Sequence, residues 1–178
     1  MDEVQLKTPV MEVIKRKTAF GNRTVIDMPP AVMVIAIDEA NNVHLLEEHM
    51  APQNGFMATF AKGAIDAGEA PEAAARRELE EELGLRAGKM QLLLHLKNQP
   101  SHMTAETFVY VAQNCTQVEN PAAGDEADGS IRHITVPLEA LLNSRAAYFK
   151  CARCLAASGE LRIQQLEADL AQAKATLF

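Results

Sequence analysis

The sequence predicts an α/β fold, a mixed sheet sandwiched between helices, from three observations. The first is the continuous apolar run over 31–37, with the length and composition of a central strand buried on both faces. The second is the segment 72–83, built almost entirely of strong helix formers, with Pro71 suited to the first turn and Gly84 able to stop it. The third is the order in which shorter strand-like and helix-like segments follow one another around these two.

In chain order, 10–18 is β-tolerant, Gly21-Asn22 is a turn signal, and 24–28 reads as a second short strand. Residues 1–30 are therefore expected to form an N-terminal β-hairpin extension, closed off by Pro29-Pro30, with the main domain over 31–178. Lys15, Arg16 and Lys17 read as a solvated strand end. Asn41-Asn42 marks a turn and 43–46 a returning strand, after which 55–61 leads into a loop at Gly63. Beyond the helix, 90–96, 107–112 and 131–136 read as strands, the last ended by Pro137. Residues 138–142 form a short helical turn, Ser144 suits the N-cap of a helix over 145–157, and Gly159 separates it from a second helix over 160–177. Ile163, Leu166, Leu170, Ala173 and Leu177 recur there at spacings of three and four. The stripe is too short for a free-standing coiled coil, and it leaves open packing on its own domain or on a partner subunit.

With 178 residues and 48% apolar content, one domain with an ample core is expected. A formal charge of -7 argues against a general nucleic-acid or membrane-surface binder. No run of ~20 apolar residues and no basic-then-apolar leader pattern is present, so no membrane span or secretory signal is expected. Cys115, Cys151 and Cys154 are a sparse, odd set, which fits reduced thiols in the cytoplasm. Cys151 and Cys154 have C-x-x-C spacing, but with no second pair and no nearby His they read as packing residues of a helix.

The chemistry is concentrated in 63–85, which has the form G-x5-E-x7-R-E-U-x-E-E-x-G-U with U aliphatic. At average residue usage its fixed positions coincide by chance at roughly one in 10⁹ starting points, so the pattern is a signal rather than an accident. On the helix Glu78, Glu81 and Glu82 fall at i, i+3 and i+4, so their carboxylates share a face, beside an apolar stripe of Ala75, Leu79 and Leu83. Like charges so placed repel unless neutralised, and a hard divalent cation with oxygen ligands, Mg²⁺ or Mn²⁺, is suited to the task. Glu69 and Arg77 are of opposite charge and can pair between loop and helix.

This segment resembles the signature of the Nudix hydrolases, matched without a substitution. The resemblance implies the Nudix α/β/α sandwich and a metal-dependent hydrolysis of nucleoside diphosphates linked to another group. Carried over by motif position, it implies Glu78 and Glu82 as metal ligands, Glu81 as a bridging ligand or proton acceptor, and the backbone carbonyl of Lys62 as a further ligand. Gly63, Glu69, Arg77 and Gly84 would shape the motif. Members also use an acidic residue on a later loop to orient or deprotonate the water. Glu126 is the choice here, with Asp125 and Asp128 as rivals.

Pro100-Ser101, fifteen residues after Leu85, together with 60–69, 103–112 and 124–126, resembles the bacterial ADP-compounds hydrolases and ADP-ribose pyrophosphatases. That branch implies release of AMP from ADP-ribose, NADH or diadenosine polyphosphates, substrate contact at Pro100 and Ser101, and a homodimer in which residues 1–30 reach a partner. Two features depart from it. Glu47-Glu48-His49-Met50 stands where the branch often carries an arginine, and no glutamate occurs in 55–59. Aromatics amount to 4%, so adenine stacking would fall to Phe20, Phe56 or Tyr110. Other nucleoside diphosphate derivatives (a nucleoside triphosphate, a nucleotide sugar, capped RNA) and a non-catalytic nucleotide sensor are the alternatives.

Overall fold

The computed structural model describes residues 2–119 and 129–176. Its centre is β4 (Ala31–Asp38), which pairs antiparallel with β5 (Asn42–Met50) and β7 (Ala61–Ala64) and parallel with β10 (Glu106–Gln117). Outward from these, β6 (Gly55–Thr59) and β11 (Ile131–Pro137) pair with β5, while β8 (Leu85–Arg86) and β9 (Lys89–Lys97) pair with β10. Among the described residues the result is a mixed sheet of eight strands.

Successive side chains of a strand point to opposite faces, and β4 uses both. Val32, Val34 and Ala36 pack with Ala74, Ala75, Leu79 and Leu83 of α1 (Pro71–Leu83). Met33, Ile35 and Ile37 pack on the other side with residues of α2 (Leu138–Asn143) and α4 (Ala152–Thr176) and with Phe149, which follows α3 (Arg145–Tyr148). Leu79 is fully buried, a transfer worth about 2 kcal/mol for such a side chain. The expected sandwich of helices on both sides of a mixed sheet is thus the fold.

The N-terminal segment is larger than a hairpin. β1 (Glu3–Lys7), β2 (Glu12–Thr18) and β3 (Gly21–Asp27) form a separate antiparallel sheet. The turn at Gly21 has φ +97°, a conformation glycine adopts without strain. The end of β3 is tied to the loop before β10: Ile26 N–H donates to the His102 carbonyl at 2.8 Å, and Thr104 N–H to the Ile26 carbonyl at 3.0 Å.

The C-terminal helices differ from expectation. Ser144 makes no side-chain cap, and α3 ends after four residues because Phe149 turns extended (φ -108°, ψ 132°). That turn buries the Phe149 ring against Phe60, centroids 4.7 Å apart. A new helix, α4, then runs unbroken through Gly159. A mid-helix glycine costs only about 1 kcal/mol, and burial of Cys154 and Ala157 on the sheet outweighs it. Farther along, Ile163, Leu166 and Leu170 are exposed. Among the described residues no helix is long and apolar enough to cross a membrane.

Candidate active site

The site is assembled where β7 leaves the sheet and the loop 65–70 returns into α1. Pro71 opens the helix, and Gly84 closes it at φ 62° with its N–H donated to the Glu80 carbonyl. Gly68 takes φ +82° at the loop's turn. Gly63 has a different reason to be glycine: a Cβ there would collide with the Glu78 carboxylate.

Arg77 organises the charges. Its Nε and Nη2 donate to Glu69 Oε1 and Oε2 at 3.1 and 3.0 Å, a bidentate pair of the kind arginine favours. Nη2 also donates to the Ala64 carbonyl at 3.0 Å. Nη1 reaches Glu78 Oε1 at 2.6 Å and Glu81 Oε2 at 3.0 Å. One guanidinium therefore fastens strand, loop and helix together, as the pairing of Glu69 with Arg77 anticipated.

Glu82 is held from the strand side, where the Lys62 backbone N–H donates to Oε2 at 2.7 Å. The Lys62 ammonium pairs with Glu48, on β5. Residues 47–50, read from sequence as lacking a cation, thus place another carboxylate beside the motif. No sequence signal links Glu48 to Lys62, because only the pairing of β5 and β7 along the same edge of β4, the edge away from β10, brings them together.

The electrostatics follow from this crowding. Hydrogen bonds from Arg77 hold Glu69 below its usual pKa, and those bonds, Glu69 first, raise Arg77 further. Burial pushes Glu78 up, more than Arg77 pulls it down. Glu82 is pushed up to about 7, by burial first and then by the charges of Glu78 and Glu48, against the pull of the Lys62 N–H. Buried carboxylates whose ionised forms disfavour one another are suitable oxygen donors for a hard divalent cation. The donor set fits such an ion in chemistry. Among the described residues no three carboxylate, imidazole or thiol groups already converge on a single point, since Glu78 and Glu81 face Arg77 and Glu82 faces Lys62.

Pro100 and Ser101 lie on an exposed turn, Ser101 Oγ 2.7 Å from His102 Nδ1. That turn and the motif loop leave the same end of the sheet, because Ala31 pairs with both Thr107 and Ala64. Glu126, Asp125 and Asp128 lie outside the described residues. Of the aromatic candidates, Tyr110 is buried in the core against the α1 side and is removed from the set. Phe20 stands exposed at the β2–β3 turn. Phe56 lies under the Arg132 guanidinium, 4.0 Å from its carbon, beside His49.

A carboxylate-bearing helix clamped by one arginine behind a glycine loop, on a sheet covered by helices on both sides, is the arrangement that the Nudix resemblance implies. The NUDIX domain model matches residues 27–153, and the chain belongs to that family. Nudix hydrolases generally require a divalent metal. The chain is 29% identical over 164 residues to a methanol dehydrogenase activator of Bacillus methanolicus, covering 92% of this chain and 85% of that protein. It is 32% identical over 108 residues to an ADP-ribose pyrophosphatase of Mycobacterium tuberculosis, covering 60% of this chain and 52% of the relative. A crystal structure of an ADP compounds hydrolase superposes with a TM-score of 0.72 at 26% identity, covering 95% of this chain and 93% of that one.

Proposed function

We propose that the protein hydrolyses the pyrophosphate bond of ADP-linked compounds such as ADP-ribose, NADH or diadenosine polyphosphates, releasing AMP, with Mg²⁺ or Mn²⁺ as cofactor. The observation that carries this reading is the shared carboxylate face of α1, where Arg77 holds Glu78 and Glu81 and the Lys62 backbone N–H holds Glu82. The ADP specificity rests on the relatives whose names describe it.

In this reading Glu78, Glu82 and the Lys62 carbonyl would hold the ion, with Glu81 as a further ligand or as a proton acceptor. When bound, the ion supplies charge neutralisation at the pyrophosphate and lowers the pKa of water. The protein's own residues prepare that chemistry. Arg77 and Glu69 fix the loop, Gly63 leaves room for the Glu78 carboxylate, and Gly84 ends the helix so that the carboxylate face keeps its register. Glu126 serves as general base, and Pro100 and Ser101 contact the substrate. Residues 1–30 act as a dimerisation extension of a domain over 31–178, the homodimer working in the cytoplasm on a small nucleotide rather than on nucleic acid or membrane.

The test is AMP release with excess Mg²⁺ from ADP-ribose, NADH, diadenosine triphosphate, ADP-glucose and a nucleoside triphosphate. AMP from the ADP compounds, abolished by chelator, is expected. Activity confined to the triphosphate would move the enzyme to another Nudix branch, and no activity would favour the sensor. The relative aligned over most of the chain favours a second reading, activation of a dehydrogenase. A dehydrogenase rate raised by this protein, even after the carboxylate face is neutralised, would separate that role from hydrolysis.

A further inference from the structure

Cys151 and Cys154, read from sequence as packing residues within a helix, have different positions. Cys151 lies immediately before α4, and its carbonyl accepts the first intrahelical bond, from Leu155 N–H at 3.0 Å. It is the N-cap of a 25-residue helix. Cys154 sits in the first turn, fully buried, its Sγ 3.7 Å from Thr59 Oγ1. Cys151 is partly exposed and lines a cavity of about 500 Å³ with apolar walls that include Met28, Leu96 and Met103. Lys97 and Arg153 bring two cations to the same cavity.

We propose that Cys151 and Cys154 form a thiol–disulfide exchange site for a small anionic disulfide of the oxidised-glutathione class. The Cys151 thiolate attacks one sulfur of the disulfide, forms a mixed disulfide and expels the first thiolate. Cys154 then gives up its proton and attacks the Cys151 sulfur, closing an internal disulfide and expelling the second. The protein dithiol loses two electrons and two protons, and the small disulfide becomes two thiols.

The geometry assigns each role. Residues three apart on one helical turn lie within the Cα separation a disulfide spans. The accessible sulfur is the one at the helix N-terminus, where backbone N–H groups favour negative charge. A hydrogen bond from Cys154 and the backbone N–H groups of Cys154 and Arg153 hold the Cys151 thiol below the usual range, against its burial. The bond to Cys151, then burial, then the Cys151 charge hold Cys154 protonated. Formation of the mixed disulfide removes that bond and that charge and leaves burial alone to hold the Cys154 proton, with the Cys151 sulfur one helical turn away as its target. Lys97 and Arg153 match the carboxylates of a glutathione-like ligand. Cys115 is a built-in control, since burial pushes its thiol up to about 11.

The experiment treats the folded, full-length protein with oxidised glutathione and reads its mass without reductant. The wild type should lose two hydrogens, Cys154→Ser should keep one glutathione on Cys151, and Cys151→Ser should remain unmodified, with circular dichroism confirming each fold. Iodoacetamide labelling of Cys151 in the native protein should fall by less than about tenfold from pH 9 to pH 6, against about 200-fold for an ordinary thiol. A folded wild type that stays unmodified, keeps an open adduct or labels like an ordinary thiol would overturn the proposal. So would a Cys154→Ser variant that retains no adduct. The readout is independent of hydrolytic activity.

Discussion

The two long helices, α1 and α4, cover opposite faces of one sheet and use their surfaces in opposite ways. α1 buries Ala75, Leu79 and Leu83 on one stripe and carries a crowded row of carboxylates beside it, kept in place by Arg77. α4 buries Cys154 and Ala157 near its start, then exposes Ile163, Leu166 and Leu170. Charge that disfavours folding is retained on α1, whereas on α4 the residues with unmet demand are apolar. A stability argument alone predicts neither, and each marks a place where the helix does more than pack.

The comparison breaks most sharply if α1 is neutralised. Under the proposed function, Glu82→Gln should lower the rate of pyrophosphate hydrolysis by about 10³-fold or more, the scale on which charge-stabilising groups act, with the circular dichroism spectrum retained. A variant that kept its rate would remove the carboxylate face from catalysis. Next in size is Gly63→Ala. Its Cβ meets the Glu78 carboxylate, which Arg77 holds from the other side. Overpacking of this kind costs about 1–3 kcal/mol, and displacing the carboxylate should reduce the rate about 10–100-fold, roughly 1.4 kcal/mol of barrier per tenfold. An unchanged melting temperature and rate would mean that Glu78 has room to move.

The difference between the helices is also a difference in what sequence can reveal. On α1 the spacing of Glu78, Glu81 and Glu82, the Pro71 start, the Gly84 stop and the Glu69–Arg77 pair are all local, so periodicity and charge were enough. Glu48 joins the site only through strand pairing, and the β7 strand itself is four residues long, too short for alternation to mark it. On α4 the signals pointed the wrong way. Ser144 and Gly159 resemble a cap and a break, but burial of Phe149, Cys154 and Ala157 decides where the helix begins and lets it pass the glycine. Local propensity is worth tenths of a kcal/mol to about one, less than a buried aromatic ring contributes. The same tertiary decision turns Cys151 from a mid-helix residue into an N-cap.

A third test uses acidity. In the metal-free protein burial pushes Glu82 up to about 7 from its ordinary 4.5. The folded state then binds the proton more tightly than the unfolded one. The stability this confers is complete below about pH 4.5 and is lost as pH rises through about 7. With chelator present, unfolding free energies of wild type and Glu82→Gln should diverge over that window by on the order of 2 kcal/mol, the wild type losing more. Divalent cation should reduce the wild type's loss. Parallel curves would mean that the carboxylate is not desolvated.

The smallest effect tests α4. Nothing lies within 4 Å of a Cβ built at Gly159, and the residue is helical with no positive φ. Gly159→Ala should therefore stabilise the protein by about 0.5–1 kcal/mol, mainly by restricting the unfolded chain, and leave hydrolysis unchanged. Urea titration measures it, with the midpoint rising and the slope constant. A destabilised variant would mean that the helix needs glycine at that point, for a bend or for a surface packed against it. The two helices would then resemble each other, each with a glycine kept for close approach, Gly63 against α1 and Gly159 within α4.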